Sequence, residues 1–216
     1  MKRQHIALLG GAGLILVFML ASYSYKEERS EQSESMAQTT ASPLVRDYSQ
    51  STGPADAKVV VVEFFDPGCE TCRAFAPRVK DMLASRAGKV RHVLRYAPFH
   101  QGADTMVKIL EAAREQGKYW ETLQMMFDTQ PHWASHHHPQ PDKIWEFLPA
   151  VGLNIEQIRS DMNHPRIMEI IRQDLADART LGVRKTPTFF VNGKPLPSFG
   201  LPQLTQLVDA EIAANY

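Results

Sequence analysis

The sequence predicts an α/β fold in which a βαβ unit and a closing ββα unit flank a run of helices. Three observations carry that reading. Val59 to Phe65 (Val-Val-Val-Val-Glu-Phe-Phe) is a β-branched and aromatic run, the pattern of a strand covered on both faces. It leads within a few residues into Cys69-Glu70-Thr71-Cys72, at the start of a helical stretch. Far downstream, Thr186-Pro187 opens a second β-rich run, Thr188 to Val191, which turns back through Asn192-Gly193.

The chain has 216 residues, 44% of them apolar and 22% charged, which excludes wholesale disorder and collagen-like repeats and suits one domain with appendages. Lys plus Arg and Asp plus Glu are equal at 24 each. A neutral balance without a basic block argues against nucleic acid as a partner, because that affinity is mostly phosphate neutralisation. Two cysteines are too few for a disulfide-stapled scaffold or a zinc ribbon.

The chain opens with Lys2 and Arg3 before an uncharged apolar run, Ile6 to Ala21. As a helix that run spans roughly 24 Å, and roughly 30 Å with Ser22 to Tyr25, the thickness of a bilayer core. Basic residues before it and Glu27, Glu28, Glu31 and Glu34 after it place the N-terminus in the cytoplasm. Residues 1–25 are therefore expected to be a signal anchor or a cleaved signal peptide, with residues 5–25 holding the protein to the membrane if retained. The body then lies outside the cytoplasm, where a disulfide can persist. Residues 26–43, rich in Ser, Glu, Gln and Thr, read as a flexible polar tether reaching roughly 25 Å.

In the body, Cys72 to Ser85 is expected to be helical, with Phe75, Val79, Met82 and Leu83 on one side and Pro77 kinking it. Lys89 to Tyr96 follows as a strand, making a right-handed βαβ unit. Asp104 to Gln116 carries Met106, Ile109, Leu110 and Ala113 at helical spacing, with Gly117 to close it. Tyr119 to Phe127, Pro141 to Val151, Ile155 to Met162 and Pro165 to Leu181 continue the helical pattern. Strand Thr188 to Val191 pairs through the hairpin with Lys194 to Pro197, and Pro202 to Ala214 ends the chain as an amphipathic helix. These boundaries divide the body into residues 44–100 with 182–216, and an inserted helical domain at 101–181.

The chemistry centres on the two cysteines. A nucleophilic sulfur must be a thiolate, and the free amides and positive dipole end of a helix N-terminus favour one. Cys69, at the helix lip, is the expected attacking thiol; Cys72, one turn in and more buried, is the expected resolving thiol. The pair could instead be half a zinc site or an inert disulfide, but no further cysteine completes a tetrahedral site.

Glu63 to Cys72 resembles the active-site segment of the thioredoxin superfamily, and Gly182 to Lys194 is similar to that superfamily's cis-proline loop and hairpin. The long helical stretch between them resembles the DsbA-like branch. The resemblance runs from Val59 to the C-terminus. It implies a thioredoxin fold with an inserted helical domain, a protein thiol–disulfide oxidoreductase, and no cofactor beyond a redox-active Cys69–Cys72 disulfide. It also implies a cis bond before Pro187, with Thr186 and Pro187 presenting the substrate backbone. Glu63 falls where the family keeps a buried acid, which implies a proton relay for Cys72. The bland alternative for Glu63 is a strand carboxylate satisfied by a lysine.

Glu70 and Thr71 replace the Pro-His pair of the family's strongest oxidant. An ionised Glu70 opposes a nearby thiolate, and Thr71 can donate only a hydroxyl, so the disulfide is expected to be less oxidising. The implied partners are unfolded or thiol-containing proteins and a membrane redox partner, with the chain a monomer. A dedicated reductase or isomerase is the nearest alternative. A copper- or zinc-binding module using Cys69, Cys72 and the cluster His132, His136, His137 and His138 is a second, although a solvated loop is the plainer reading of that cluster. His100, at the strand exit, reads as a packing residue.

Overall fold

The computed structural model describes residues 43–135 and 138–216. The expected membrane segment and nearly all of the tether, as well as His136 and His137, lie outside the described residues. Among the described residues no helix is long and apolar enough to cross a membrane.

Among the described residues, seven strands and six α-helices follow in chain order: β1 (Gln50–Thr52), β2 (Val59–Phe65), α1 (Glu70–Ala84), β3 (Val90–Tyr96), α2 (Ala103–Glu115), α3 (Tyr119–Trp133), β4 (Ala134–Ser135), β5 (His138–Pro139), α4 (Ile155–Asp161), α5 (Pro165–Thr180), β6 (Thr188–Val191), β7 (Lys194–Pro195) and α6 (Leu201–Asn215). The main sheet has the order β1-β3-β2-β6-β7, with β2 and β3 parallel and the other pairs antiparallel. The β-branched run is thus the central strand, buried on both faces as its composition requires.

The register divides the sheet cleanly, because successive side chains on a strand point to opposite faces. Val59 and Val61 pack with Val79 and Met82 of α1 and with Leu204 and Val208 of α6. Val62 and Phe64 face the other way, onto Val93, Phe190, Ala178 and Val183. A third apolar cluster joins α2, α3, α4 and α5 to Phe65, Leu94, Tyr96 and both cysteines. The helical block therefore packs directly against the end of the sheet that carries the cysteines.

The structure corrects several element boundaries. α1 begins at Glu70 instead of Cys72 and continues through Pro77. β1 was not expected: its Gln-Ser-Thr sequence has no apolar alternation, and it forms because the edge of β3 offers it backbone partners. α3 runs on to Trp133, through Pro131, because Trp133 is fully buried and its indole donates to the Met126 carbonyl. His132 consequently lies in the last turn of a helix, not in a loop. Pro141 to Val151 is not one α-helix but two 3₁₀ segments, Pro141–Glu146 and Leu148–Val151; Pro149 has no backbone N–H to continue an α-helical ladder. β7 stops at Pro195, two residues short of expectation.

Helix α5 is held to the sheet by charge as well as packing. Arg95 of β3 is completely buried, donating from Nε to Asp174 at 3.0 Å and from Nη2 to Asp174 and Asp177 at 2.7 and 2.6 Å. Asp174 also accepts from the Tyr48 hydroxyl and the Tyr96 amide, and Arg46 closes the network on Asp177 at 2.7 Å. Removing one member of such a buried group strands the others without water. Asp174→Ala should therefore destabilise the full-length chain by about 3–5 kcal/mol in urea unfolding. Asp209→Ala, which breaks an exposed pair with Arg86, should cost at most about 1 kcal/mol.

Candidate active site

The path from β2 into α1 is a single tight turn. The Cys69 amide donates to the Asp66 carbonyl at 3.0 Å, and the Gly68 amide to the Asp66 carboxylate at 2.7 Å. Position 68 has no room for a side chain, since a Cβ there would sit 2.9 Å from Pro139. Asp66 is completely buried and also accepts from the amides of Phe99 and His100 and bonds the His100 ring at 2.7 Å. It ties this turn to the loop that leaves β3. His100 does pack locally, as expected, but with a carboxylate as its partner.

Cys69 is the N-cap residue of α1, in extended conformation, and its sulfur accepts the Cys72 amide at 3.4 Å. An N-cap side chain accepts from the first-turn amides, so a sulfur placed here meets donors that favour its ionised form. The chain then returns from 117 residues away. The Cys69 thiol donates to the Thr186 carbonyl at 3.3 Å, and the Thr186–Pro187 peptide bond is cis. The two sequence motifs therefore meet at one atom, and both cysteines are free thiols.

The two thiols are driven in opposite directions. Hydrogen bonding from the Cys72 thiol lowers Cys69 to about 6, against its burial, with help from the Thr186 side chain and the backbone amides of Cys72 and Thr71. Burial pushes Cys72 far above the ordinary thiol value, and its bond to Cys69 and the charges of Cys69 and Glu63 push the same way. The Thr71 contribution comes from its backbone, while its side chain is exposed; Glu70 is half-buried in the first turn.

Glu63 lies on β2 opposite Leu94 and Phe189, is 5% exposed, and shares a 2.9 Å contact with His92 of β3. Its partner is thus a histidine, not the lysine of the bland reading. Both residues line a cavity of about 1790 Å³ between α1 and α3, whose wall includes Phe65, Val79, Leu123 and Phe127.

Sequence reasoning passed over three residues: Asp66, His92 and Gln130. Asp66 carried a usable signal, a carboxylate between a buried strand and a Pro-Gly turn. His92 stands one step off the obvious apolar positions of β3, and Gln130 is a lone amide in a helix. Neither is distinctive in one dimension. Among the described residues no three His, Cys, Asp or Glu side chains are grouped to hold a metal ion.

The sequence model of the thioredoxin family matches residues 46–210. A thioredoxin-like oxidoreductase from Silicibacter pomeroyi is 27% identical, with a TM-score of 0.69 over 82% of this chain and 100% of that one. The thiol-disulfide exchange protein α-DsbA2 of Wolbachia pipientis superposes with a TM-score of 0.71 at 19% identity, covering 85% of this chain and 97% of that one. Among curated proteins, the Na(+)/H(+) antiporter NhaA of Herminiimonas arsenicoxydans is 27% identical over 90% of this chain, and NhaA 3 of Salinispora tropica 31% identical over 70%. This chain spans only 30% and 23% of those two proteins.

The opposed thiols give a direct expectation. Ultraviolet titration of the reduced full-length chain should show one thiolate appearing with a midpoint near pH 6, and Cys69→Ser should remove it. Cys72→Ala should raise the midpoint, because the first donor to the Cys69 sulfur is lost.

Proposed function

Since the chain belongs to the thioredoxin family, we propose that it is a DsbA-like protein thiol–disulfide oxidoreductase acting through Cys69 and Cys72. The observation that carries this reading is the Cys69 sulfur, seated at the N-cap of α1 beside the Thr186 carbonyl and the cis bond to Pro187. In the oxidising direction a substrate thiolate attacks the Cys69 sulfur of the Cys69–Cys72 disulfide. The disulfide breaks, a substrate–Cys69 bond forms, and Cys72 leaves as a thiolate that takes up a proton. A second substrate thiolate then attacks the substrate sulfur and releases Cys69, a good leaving group because its thiolate is stabilised. In reverse, the Cys69 thiolate attacks a substrate disulfide, and Cys72 gives up its proton to resolve the mixed disulfide.

Burial makes that proton the difficulty, since Cys72 is closed off from solvent. We assign that exchange to Glu63, a reading supported by its charge acting on Cys72 and by its contact with His92 in the wall of the cavity. Thr186 and Pro187 hold the backbone beside which an extended substrate pairs. Glu70 and Thr71 tune the pair from the first turn. The expected partners are thiol-containing proteins and a membrane redox partner. The apolar and charged pattern of residues 1–25 supports work outside the cytoplasm from a membrane anchor, and the chain is taken to act as a monomer. No cofactor beyond the dithiol is required.

The thiol value near 6 lies between the ~3.5 of the strongest oxidant and the ~7 of thioredoxin. The reduction potential is accordingly expected between their values of about −120 and −270 mV, nearer the thioredoxin end, read by equilibration with glutathione. A value at the oxidising extreme defeats the assigned role of Glu70 and Thr71. Cys72→Ser should trap mixed disulfides with several proteins, and Cys69→Ser should trap none. Glu63→Gln should slow release of a Cys69–glutathione disulfide by tenfold or more while sparing its formation.

A further inference from the structure

Gln130 is an uncharged side chain from the helical block, yet it is completely buried beside the cysteine turn. Its Nε2 donates to the carbonyls of Pro67 and Cys69, at 2.7 and 3.1 Å, and its Oε1 accepts from Nε of Arg73 at 3.0 Å. Two carbonyls and one guanidinium decide which end of the amide is which, because only the NH₂ group can serve both carbonyls.

The Cys69 carbonyl receives two donors: Gln130, and the Arg73 amide at 3.1 Å, which begins the α-helical ladder of α1. Where that oxygen points sets ψ of Cys69, 119° here. The same angle sets the plane of the next peptide and hence the direction of the Thr71 and Cys72 amides. With the Pro67 carbonyl also held, both sides of the turn are fixed relative to α3.

We propose that Gln130 is a positioning residue that locks the Cys69 peptide so that the first-turn amides of α1 face the Cys69 sulfur. It touches no reacting atom and acts through the backbone of Cys69. On this view the helical block takes part in the chemistry by gripping the nucleophile's main chain. The inference rests on the reading of Cys69 as the nucleophile.

The test is the ultraviolet titration of Cys69 in the reduced full-length chain, with iodoacetamide alkylation at pH 5 and thermal unfolding of each sample. Gln130→Met and Gln130→Leu remove the bonds without adding charge, and Met, nearly isosteric, serves should Leu fail to fold. Gln124→Ala, which loses an exposed bond to Asp128 on the same helix, is the control. Both Gln130 variants should move the Cys69 midpoint up by about one unit and slow alkylation about tenfold, in proportion to the lost thiolate; the control should change neither. Gln130 variants that melt earlier but titrate like the unaltered chain overturn the proposal, since a purely structural contact moves stability alone. An ordinary thiol midpoint in the unaltered chain overturns both this inference and the functional reading beneath it.

Discussion

The architecture depends on keeping one sulfur atom at the junction of two distant chain segments. Cys69 caps α1 and touches the Thr186 carbonyl, so its position is set by α1 on one side and by the approach to β6 on the other. Both are fixed by the central strand. β2 delivers the chain to the cysteine turn, and β6, paired to β2 from Val61↔Val191 to Phe64↔Thr188, delivers the Thr186–Pro187 bend to the same end. A register slip of one residue on β6 would exchange Phe189 with Phe190 between faces and carry Thr186 away. The packing that stabilises the fold and the geometry that activates the thiol are thus the same constraint.

From that seat follows the division between the thiols. Three residues apart on a helix is about one turn, which leaves Cys69 at the open end and carries Cys72 beneath it. Cys69 gains the donors of the helix start, whereas Cys72 loses water and gains few compensating partners. Stabilising one thiolate while destabilising the other gives the pair a direction, because the first reacts as an anion and the second only when its proton is removed. The charge of Glu63 adds to the burden on Cys72. The same carboxylate is therefore a hindrance to ionisation as well as the group proposed to take the proton.

Much of this was legible in one dimension, and the reasons can be located. The six β-branched and aromatic residues of β2, the Cys-x-x-Cys that follows, and the Asn192-Gly193 turn are local signals with local causes; Asn192 and Gly193 have the positive φ, 47° and 85°, that such a turn requires. What stayed hidden depends on partners distant in sequence. β1 exists because β3 has an open edge. Arg95 looks like an ordinary polar interruption of a strand until Asp174 and Asp177, about eighty residues later, come into bonding range. Gln130 has no periodicity to betray it, and His92 is recognisable only once the parallel register sets Val61 beside it. Signals confined to a turn or a strand survive in sequence, whereas signals made by tertiary pairing do not.

The turn from Asp66 to Cys69 also explains why so many buried polar groups gather where apolar packing would be simpler. A tight turn exposes amides and carbonyls that a helix or sheet would pair internally, and enclosing them unpaired costs roughly 1–3 kcal/mol each. Asp66 satisfies amides from both this turn and the loop after β3, while Gln130 satisfies carbonyls. The acceptor-rich carboxylate and the donor-bearing amide are complementary: one serves the N–H groups, the other the C=O groups. An apolar substitute for Gln130 would take the side-chain donor from the Pro67 carbonyl, and one for Asp66 would take the carboxylate from the Gly68 and His100 amides. The polar content of this otherwise apolar end of the molecule is therefore the requirement for burying a sharp bend that must also hold a sulfur still.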